Sequence, residues 1–260
     1  MLRRALALAL LAVAAFGAPA SAQGGEEDAP SHVLVVNDDG VRAPGIDALV
    51  EALLLRADVR VTVVAPAEQR SGTGGSTTPG PLDARRTRTL SGYPAWGVDG
   101  FPADAVRYAL DTVLPDDPPD LVMAGINEGA NLSPVYDHSG TVGAARAAAR
   151  RGFPALATSQ GRVAPGRPTS FRDSARLTMR WLAANRDALE AGTATSLNTP
   201  SCTRGRVREI VASRAAPPRI DRPARRAVDC TRRLRAFPHD VAVFQHGFAP
   251  LARLPLEPRG

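Results

Sequence analysis

The sequence contains no lysine. All 32 of its Lys and Arg positions are arginine, against 26 acidic residues, for a formal net charge of +6. A basic surplus can serve nucleic-acid binding, but only 5% of the residues are aromatic and no stripe interleaves arginine with them. A stable nucleic-acid complex is therefore not expected. The plainer origin of the surplus is a coding bias toward arginine plus a positive surface, which would still attract phosphorylated substrates. No internal repeat is visible. Cysteine occurs only at Cys202 and Cys230; in an exported protein such a pair reads as one disulfide, bracing a segment with little pattern of its own.

Long apolar runs are also missing. The one candidate, residues 5–15, follows Arg3 and Arg4 and leads to Ala20-Ser21-Ala22. It falls short of the roughly 20 residues that span a bilayer, and no Cys follows it to mark a lipoprotein. Residues 1–22 are read as an export signal cut after Ala22, the alternative being an uncleaved anchor. Cleavage would lower the charge from +6 to about +4 by removing Arg3 and Arg4. Residues 23–30 form a short flexible leader, and residues 31–260 suit one α/β domain with a large core. Its core would be residues 31–200, with a short, irregular C-terminal arm at 201–260. The location implied is secreted or periplasmic, with no transmembrane segment left after cleavage.

The stretch that organises the rest is Ser31 to Gly45, SHVLVVNDDGVRAPG. Its apolar run reads as a strand buried on both faces of a parallel sheet. Asp38 and Asp39 follow directly, at the carboxyl edge where open α/β folds place their ligands. Adjacent carboxylates repel, so keeping both ionised calls for a cation. Oxygen ligands favour a hard ion such as Mg²⁺, Mn²⁺ or Ca²⁺. Taken alone, Asp-Asp-Gly is equally the composition of a polar turn.

Helical spacing over residues 46–56 and a strand at 59–65 complete a βαβ unit. The Thr/Gly/Ser-rich loop that follows, through Ser71 to Gly80, is either flexible or able to bring N–H groups to an anion. Residues 82–96 read as short strands or a hairpin turning at Ser91-Gly92, with a further strand at 95–98. A helix is expected over 100–113, and a strand at 121–124 leads into a polar loop carrying Asn127 and Asn131. Ser139, Gly140 and Thr141 open an alanine-rich helix to Arg150, as a phosphate cradle or as ordinary capping. His138 beside them reads as a solvated loop histidine, with general acid as the minority option. A strand at 153–159 and an amphipathic helix over 171–189 come next; Trp181 belongs to its core face rather than to ligand stacking. Strands are expected at 194–199 and 206–213, a loop or short hairpin at 214–235, a helical turn at 240–244 and a proline-bearing edge strand at 248–256.

These motifs together resemble the SurE family of metal-dependent nucleotide phosphatases. The resemblance rests on Asn37-Asp38-Asp39-Gly40 with Ala43-Pro44-Gly45, and on Ala65-Pro66 with Arg70-Ser71-Gly72. It continues through Gly100 with Pro102-Ala103-Asp104-Ala105-Val106, and Gly125-Ile126-Asn127 with Gly129-Ala130-Asn131. Ser139-Gly140-Thr141-Val142, Gly152 to Ala157, and Leu197-Asn198 with Pro200 complete it. It implies a Rossmann-like three-layer α/β/α sandwich holding one divalent ion on Asp38, Asp39, Ser71 and Asn127. Asn131, Ser139, Gly140 and Thr141 would face the substrate phosphate. The implied activity is an acid-phosphatase-type 5′/3′-nucleotidase acting on nucleoside monophosphates or other phosphate esters. Attack would be in line by a metal-activated water, with Asp38, Asp39 and Asn127 catalytic. A covalent aspartyl-phosphate is the competing route. Exopolyphosphatase or nuclease-like action on polymeric phosphate, and metal and phosphate binding without turnover, are the alternative functions. The family's C-terminal arm is usually longer than residues 214–235 provide, and many members are cytoplasmic. Asp240-Val241-Ala242 with Gly247-Phe248 and Pro250-Leu251 resembles the family's closing motif, with His239 where threonine is common. A homodimer is expected.

Overall fold

Strand β1, Ser31–Val36, is apolar on both faces, and its alternate residues feed two separate cores. It lies in a computed structural model that describes residues 31–163, 166, 168–217, 227–233, 236 and 239–257. The expected export signal and leader lie outside the described residues. Pro44 opens helix α1, Pro44–Leu54, at a position where its missing N–H costs nothing. Strand β2, Val59–Pro66, then pairs in parallel with β1, which closes the first βαβ unit. The ambiguous stretch after the glycine-rich loop is a hairpin of β3, Ala84–Arg88, and β4, Pro94–Val98, turning where Ser91-Gly92 was expected to turn it.

Helix α2, Pro102–Tyr108, runs into a π-helical turn, Ala109–Val113. Strand β5, Leu121–Glu128, is longer than the apolar run predicts. It passes through a cis Gly125–Ile126 peptide and a register shift against its neighbour between Ala124 and Asn127. Asn127 therefore sits on the strand and not in the following loop. A 3₁₀ turn, Ser133–His138, precedes α3, Gly140–Arg150. Strand β6, Ala155–Gln160, helix α4, Arg172–Asn185, with a short 3₁₀ turn after it, and β7, Ala194–Thr199, follow.

The C-terminal arm holds β8, Cys202–Arg204, β9, Ile210–Ala212, β10, Val228–Asp229, α5, Asp240–Gln245, and β11, Ala249–Arg253. Among the described residues the main sheet has the order β3-β4-β2-β1-β5-β6-β7-β11-β9, and β8 pairs with β10 apart from it. Strands β4, β2, β1, β5, β6 and β7 run parallel, and β11 is antiparallel to β7.

The expected edge strand at the C-terminus is thus an inner strand, because β9 adds outside it in parallel. Pro250 is tolerated there by its register. The Ala249 N–H donates to Glu209 and the Leu251 carbonyl accepts from Ser213, so Pro250 faces the β7 side, where pairing stops at Leu251–Leu197. Part of the stretch 214–235 lies outside the described residues; of the rest, β10 is the only regular element.

Three layers result. Val33 and Val35 pack with Ile46, Leu49 and Leu53 of α1 and with Leu177, Trp181 and Leu182 of α4. Leu34 and Val36 pack with Val106 of α2 and Val142, Ala145 and Ala148 of α3. A third cluster joins Leu132 to Val228, Cys230, Val241 and Phe244 of the arm. The two cysteines are bonded, with Cα atoms 5.5 Å apart. No helix among the described residues is long and apolar enough to cross a membrane.

Candidate active site

Every residue of the site stands at the carboxyl ends of β1, β2, β5 and β6, or at the start of α3. After β1 the chain turns through Asn37, whose side-chain amide donates to the Gly40 carbonyl at 2.8 Å. That turn sets Asp38 and Asp39 on the sheet edge. The loop after β2 is tied to it, since the Arg70 N–H donates to the Asp38 carbonyl at 2.6 Å. Ser71 is thereby held next to the acids, and its hydroxyl points at Asp39 Oδ1 from 3.4 Å.

Asp38 is 3% exposed and lies against the N-terminal turn of α3. Its Oδ1 accepts from the Thr141 hydroxyl at 2.7 Å, and the positive end of the helix favours its charge. Burial is the stronger influence, followed by the neighbouring Asp39 charge, and together they push the Asp38 carboxyl up to about 6. Asp39 is half-buried and accepts the Glu128 N–H at 3.0 Å. Burial raises its carboxyl above the usual range as well, against the hydrogen bond from Glu128. A cation bound beside them would favour the ionised form of both acids and so oppose this upward shift.

Asn127 donates from Nδ2 to the Gly129 carbonyl at 2.5 Å. Its Oδ1 accepts no hydrogen bond among the described residues, which leaves a carbonyl acceptor free on a residue that lines the same cavity as Asp38. Two carboxylates, a hydroxyl and an amide oxygen form an all-oxygen donor set suited to a hard divalent cation. No group of three or more His, Cys, Asp or Glu side chains gathers among the described residues. Neutral oxygens would therefore have to complete any ion site here.

The predicted phosphate-facing residues divide. The Thr141 hydroxyl donates to Asp38, and its oxygen accepts from Asn131 Nδ2 at 3.1 Å. Asn131 Nδ2 also donates to Ser159 at 3.2 Å, and the Asn131 N–H donates to Asn198 Oδ1 at 2.7 Å. Thr141 and Asn131 thus hold Asp38 in place. Ser139 caps α3, accepting the Val142 N–H at 3.1 Å, so the capping reading describes it. Ser139 and Asn131 nevertheless line a cavity of about 300 Å³ together with Asp38, Ser71 and Asn127. Gly140 packs against Asp38 at the bottom of this wall.

The sequence reading missed Arg162 and Glu128, which line the same cavity. Arg162 makes no ion pair among the described residues, and its charge lowers the Asp39 carboxyl. Its position directly after β6, at the same sheet edge, was the available signal. Glu128 accepts from the Thr169 hydroxyl at 2.7 Å, and the two stand in the wall of a second cavity of about 530 Å³ reached from Asp39.

The family described as Survival protein SurE has a model that matches residues 33–221 of this chain. A 5′-nucleotidase SurE of Prochlorococcus marinus strain MED4 is 39% identical over 183 residues, 69% of this chain and 66% of that protein. The 5′-nucleotidase SurE of Pelobacter propionicus is 37% identical over 201 residues, 75% of this chain and 73% of that one. In Desulfatibacillum aliphaticivorans the identity is 44% over 146 residues, 56% and 55% of the two chains. The first of these matches spans about two thirds of the relative's own length. The crystal structure of the SurE protein from Aquifex aeolicus superposes with a TM-score of 0.69 and 27% identity, covering 87% of this chain and 94% of that chain. With a family model over residues 33–221 and relatives 37–39% identical over more than two thirds of its length, the chain belongs to the SurE family.

Proposed function

We propose that the chain is an exported phosphomonoesterase that hydrolyses nucleoside monophosphates with the help of one divalent cation. The observation that carries this reading is the meeting of Asp38, Ser71 and Asn127 at one open cavity, with Asp39 next in the chain and within reach of the Ser71 hydroxyl. The names of the relatives, 5′-nucleotidase SurE, favour a 5′ nucleotide as substrate. Asp38, Asp39, Ser71 and Asn127 would hold the ion, whose bound charge would draw electron density from the phosphoryl group.

The chain's own residues do the rest. Thr141 fixes one Asp38 oxygen, leaving the other for the ligand. At Asp39 the Glu128 N–H holds Oδ2 while the Ser71 hydroxyl stands 3.4 Å from Oδ1, so both oxygens of that acid are oriented. The N-terminal turn of α3 and the Arg162 guanidinium set positive charge where the phosphoryl oxygens gather negative charge. Export is supported by the Arg3-Arg4, apolar and Ala20-Ser21-Ala22 sequence, and by a disulfide of a kind that persists in oxidising compartments. A homodimer is part of the same reading, checked by light scattering of the mature chain.

The deciding experiment measures phosphate release from AMP, other nucleoside monophosphates and p-nitrophenyl phosphate by residues 23–260. Turnover is expected with Mg²⁺ or Mn²⁺, is lost with EDTA, and falls at least about a hundredfold in Asp39→Asn. Full activity in EDTA, or in the variant with Asn at both positions 38 and 39, would refute the reading. N-terminal sequencing of the protein from the periplasmic or culture fraction should begin at Gln23.

A further inference from the structure

We infer that His138 is the catalytic proton donor to the leaving oxygen of the ester. The inference rests on the phosphomonoesterase reading above and extends it to the other end of the reaction. In the hydrolysis a bond forms between water oxygen and phosphorus. The ester P–O bond breaks, and its electron pair stays on the ester oxygen. That oxygen takes the proton from protonated His138 and departs as the nucleoside hydroxyl. The attacking water's proton ends on inorganic phosphate or in solvent, and the imidazole regains its proton from solvent.

An alkoxide leaves phosphorus poorly unless it is protonated as it departs, so a cavity built for nucleotides needs an acid within reach of the ester oxygen. His138 is the last residue of the 3₁₀ turn before α3, exposed, and in the wall of the cavity that also holds Asp38, Asn127 and Ser139. Its backbone is anchored. The His138 carbonyl accepts the Gly74 N–H at 3.2 Å, and the next N–H, of Ser139, donates back to Val135 at 3.1 Å. The ring is not: it makes no hydrogen bond or ion pair among the described residues. An imidazole can give and regain a proton near neutral pH.

The other lining groups are engaged or unsuited. Ser71 donates to Asp39, and the Ser139 oxygen accepts from Val142. A guanidinium such as that of Arg162 does not release its protons. Glu128 accepts from Thr169, and Asp38 belongs to the proposed ion site. Tyr136, two residues earlier, is buried and donates to Asp240 at 3.1 Å. His138 is the one lining side chain left with a transferable proton.

A leaving group that needs no proton separates this role from a structural one. In His138→Gln, kcat for AMP is expected to fall about a hundredfold, while kcat for p-nitrophenyl phosphate changes less than about threefold. The slope of rate against leaving-group acidity across aryl and alkyl phosphates should steepen correspondingly. Loss on both substrates by the same factor would overturn the inference and make His138 a positioning or binding residue. Unchanged turnover of both would overturn it too, placing leaving-group stabilisation elsewhere. His138→Asn, with its melting temperature recorded beside the wild type, guards against an effect of misfolding. A wild-type chain inactive on both substrates with divalent ion would refute the phosphomonoesterase reading itself, and the role of His138 with it.

Discussion

Asp38 carries the clearest electrostatic signature among the described residues. With no ion bound, burial and then the Asp39 charge hold its carboxyl at about 6, whereas an aspartate in the unfolded chain titrates near 4. Between those values the folded state keeps a proton that the unfolded state has released. The contribution of Asp38 to the stability of the ion-free protein therefore falls as pH rises from about 4 to about 6, by on the order of 2 to 3 kcal/mol, and stays reduced above. A divalent ion reverses this by pairing with the ionised form. Adding Mg²⁺ should raise the melting temperature by on the order of 5 °C at pH 7.5 and much less at pH 5. Asp38→Asn should melt higher than the wild type in EDTA at pH 7.5 and lose the Mg²⁺ response. A variant that melts lower would show that the acid is not strained by its burial. Arg162 supports a second expectation at this scale. Arg162→Ala should raise KM for AMP roughly tenfold with kcat changed less, because a cation at the rim binds the phosphate of the ground state as well. The sequence made the two acids legible, since a buried strand ending in Asp-Asp needs no partner to be noticed. It could not show that Thr141, 103 residues away, grips Asp38. Hydroxyls at a helix start look alike whether they face a ligand or a neighbouring side chain.

At the level of elements, hydrophobic period located nearly every strand and helix of the core, and erred where a site or a late neighbour intervened. The reading of β5 stopped at Ala124 because Gly125 and the polar Asn127 look like a loop, yet the backbone continues to pair with β6 as far as Gln160. β11 looked like an edge because of its prolines, and only the partner β9, distant in sequence, makes it an inner strand. The packing of elements at the site also sets a stringent test. A Cβ on Gly143 of α3 would lie 1.9 Å from the Gly74 carbonyl oxygen, so the helix and the Ser71 loop touch backbone to backbone. Gly143→Ala must drive them apart. We expect the ion affinity to weaken at least about tenfold and stability to drop by about 1 to 3 kcal/mol. Gly75→Ala, whose Cβ meets nothing within 4 Å, should alter neither. Isothermal titration with Mn²⁺ and thermal melts of both variants decide it. Equal affinities would mean that the loop holds Ser71 without support from α3.

For the molecule as a whole, the question is what binds the C-terminal arm to the layer that carries the site. Asp240, 1% exposed, accepts the Ser133 N–H and the Ser133 hydroxyl at 2.7 Å each, the Tyr136 hydroxyl at 3.1 Å, and the N–H groups of Ala216 and Val241. Ser133 follows directly on Leu132, which packs with Phe244, Val241 and Cys230 in the third cluster. The arm therefore underlies the stretch that carries Asn131 and the His138 turn. The disulfide closes that arrangement by fixing Cys202, just after β7, to Cys230, 28 residues on. The pairing was legible because the sequence offers only two cysteines, but nothing in the intervening residues revealed that the bridge lies beneath the site. Closing a loop of this length is worth about 3 to 4 kcal/mol in the chain-entropy account. The Cys202→Ser/Cys230→Ser variant should melt on the order of 10 °C lower than the wild type. The loosened cluster should raise KM for AMP at temperatures below the melt. Dithiothreitol acting on the wild type should reproduce both effects and leave the variant unchanged. If removing the bridge lowers the melting temperature without moving KM, the arm stabilises the fold without helping to set Asn131 and the His138 turn.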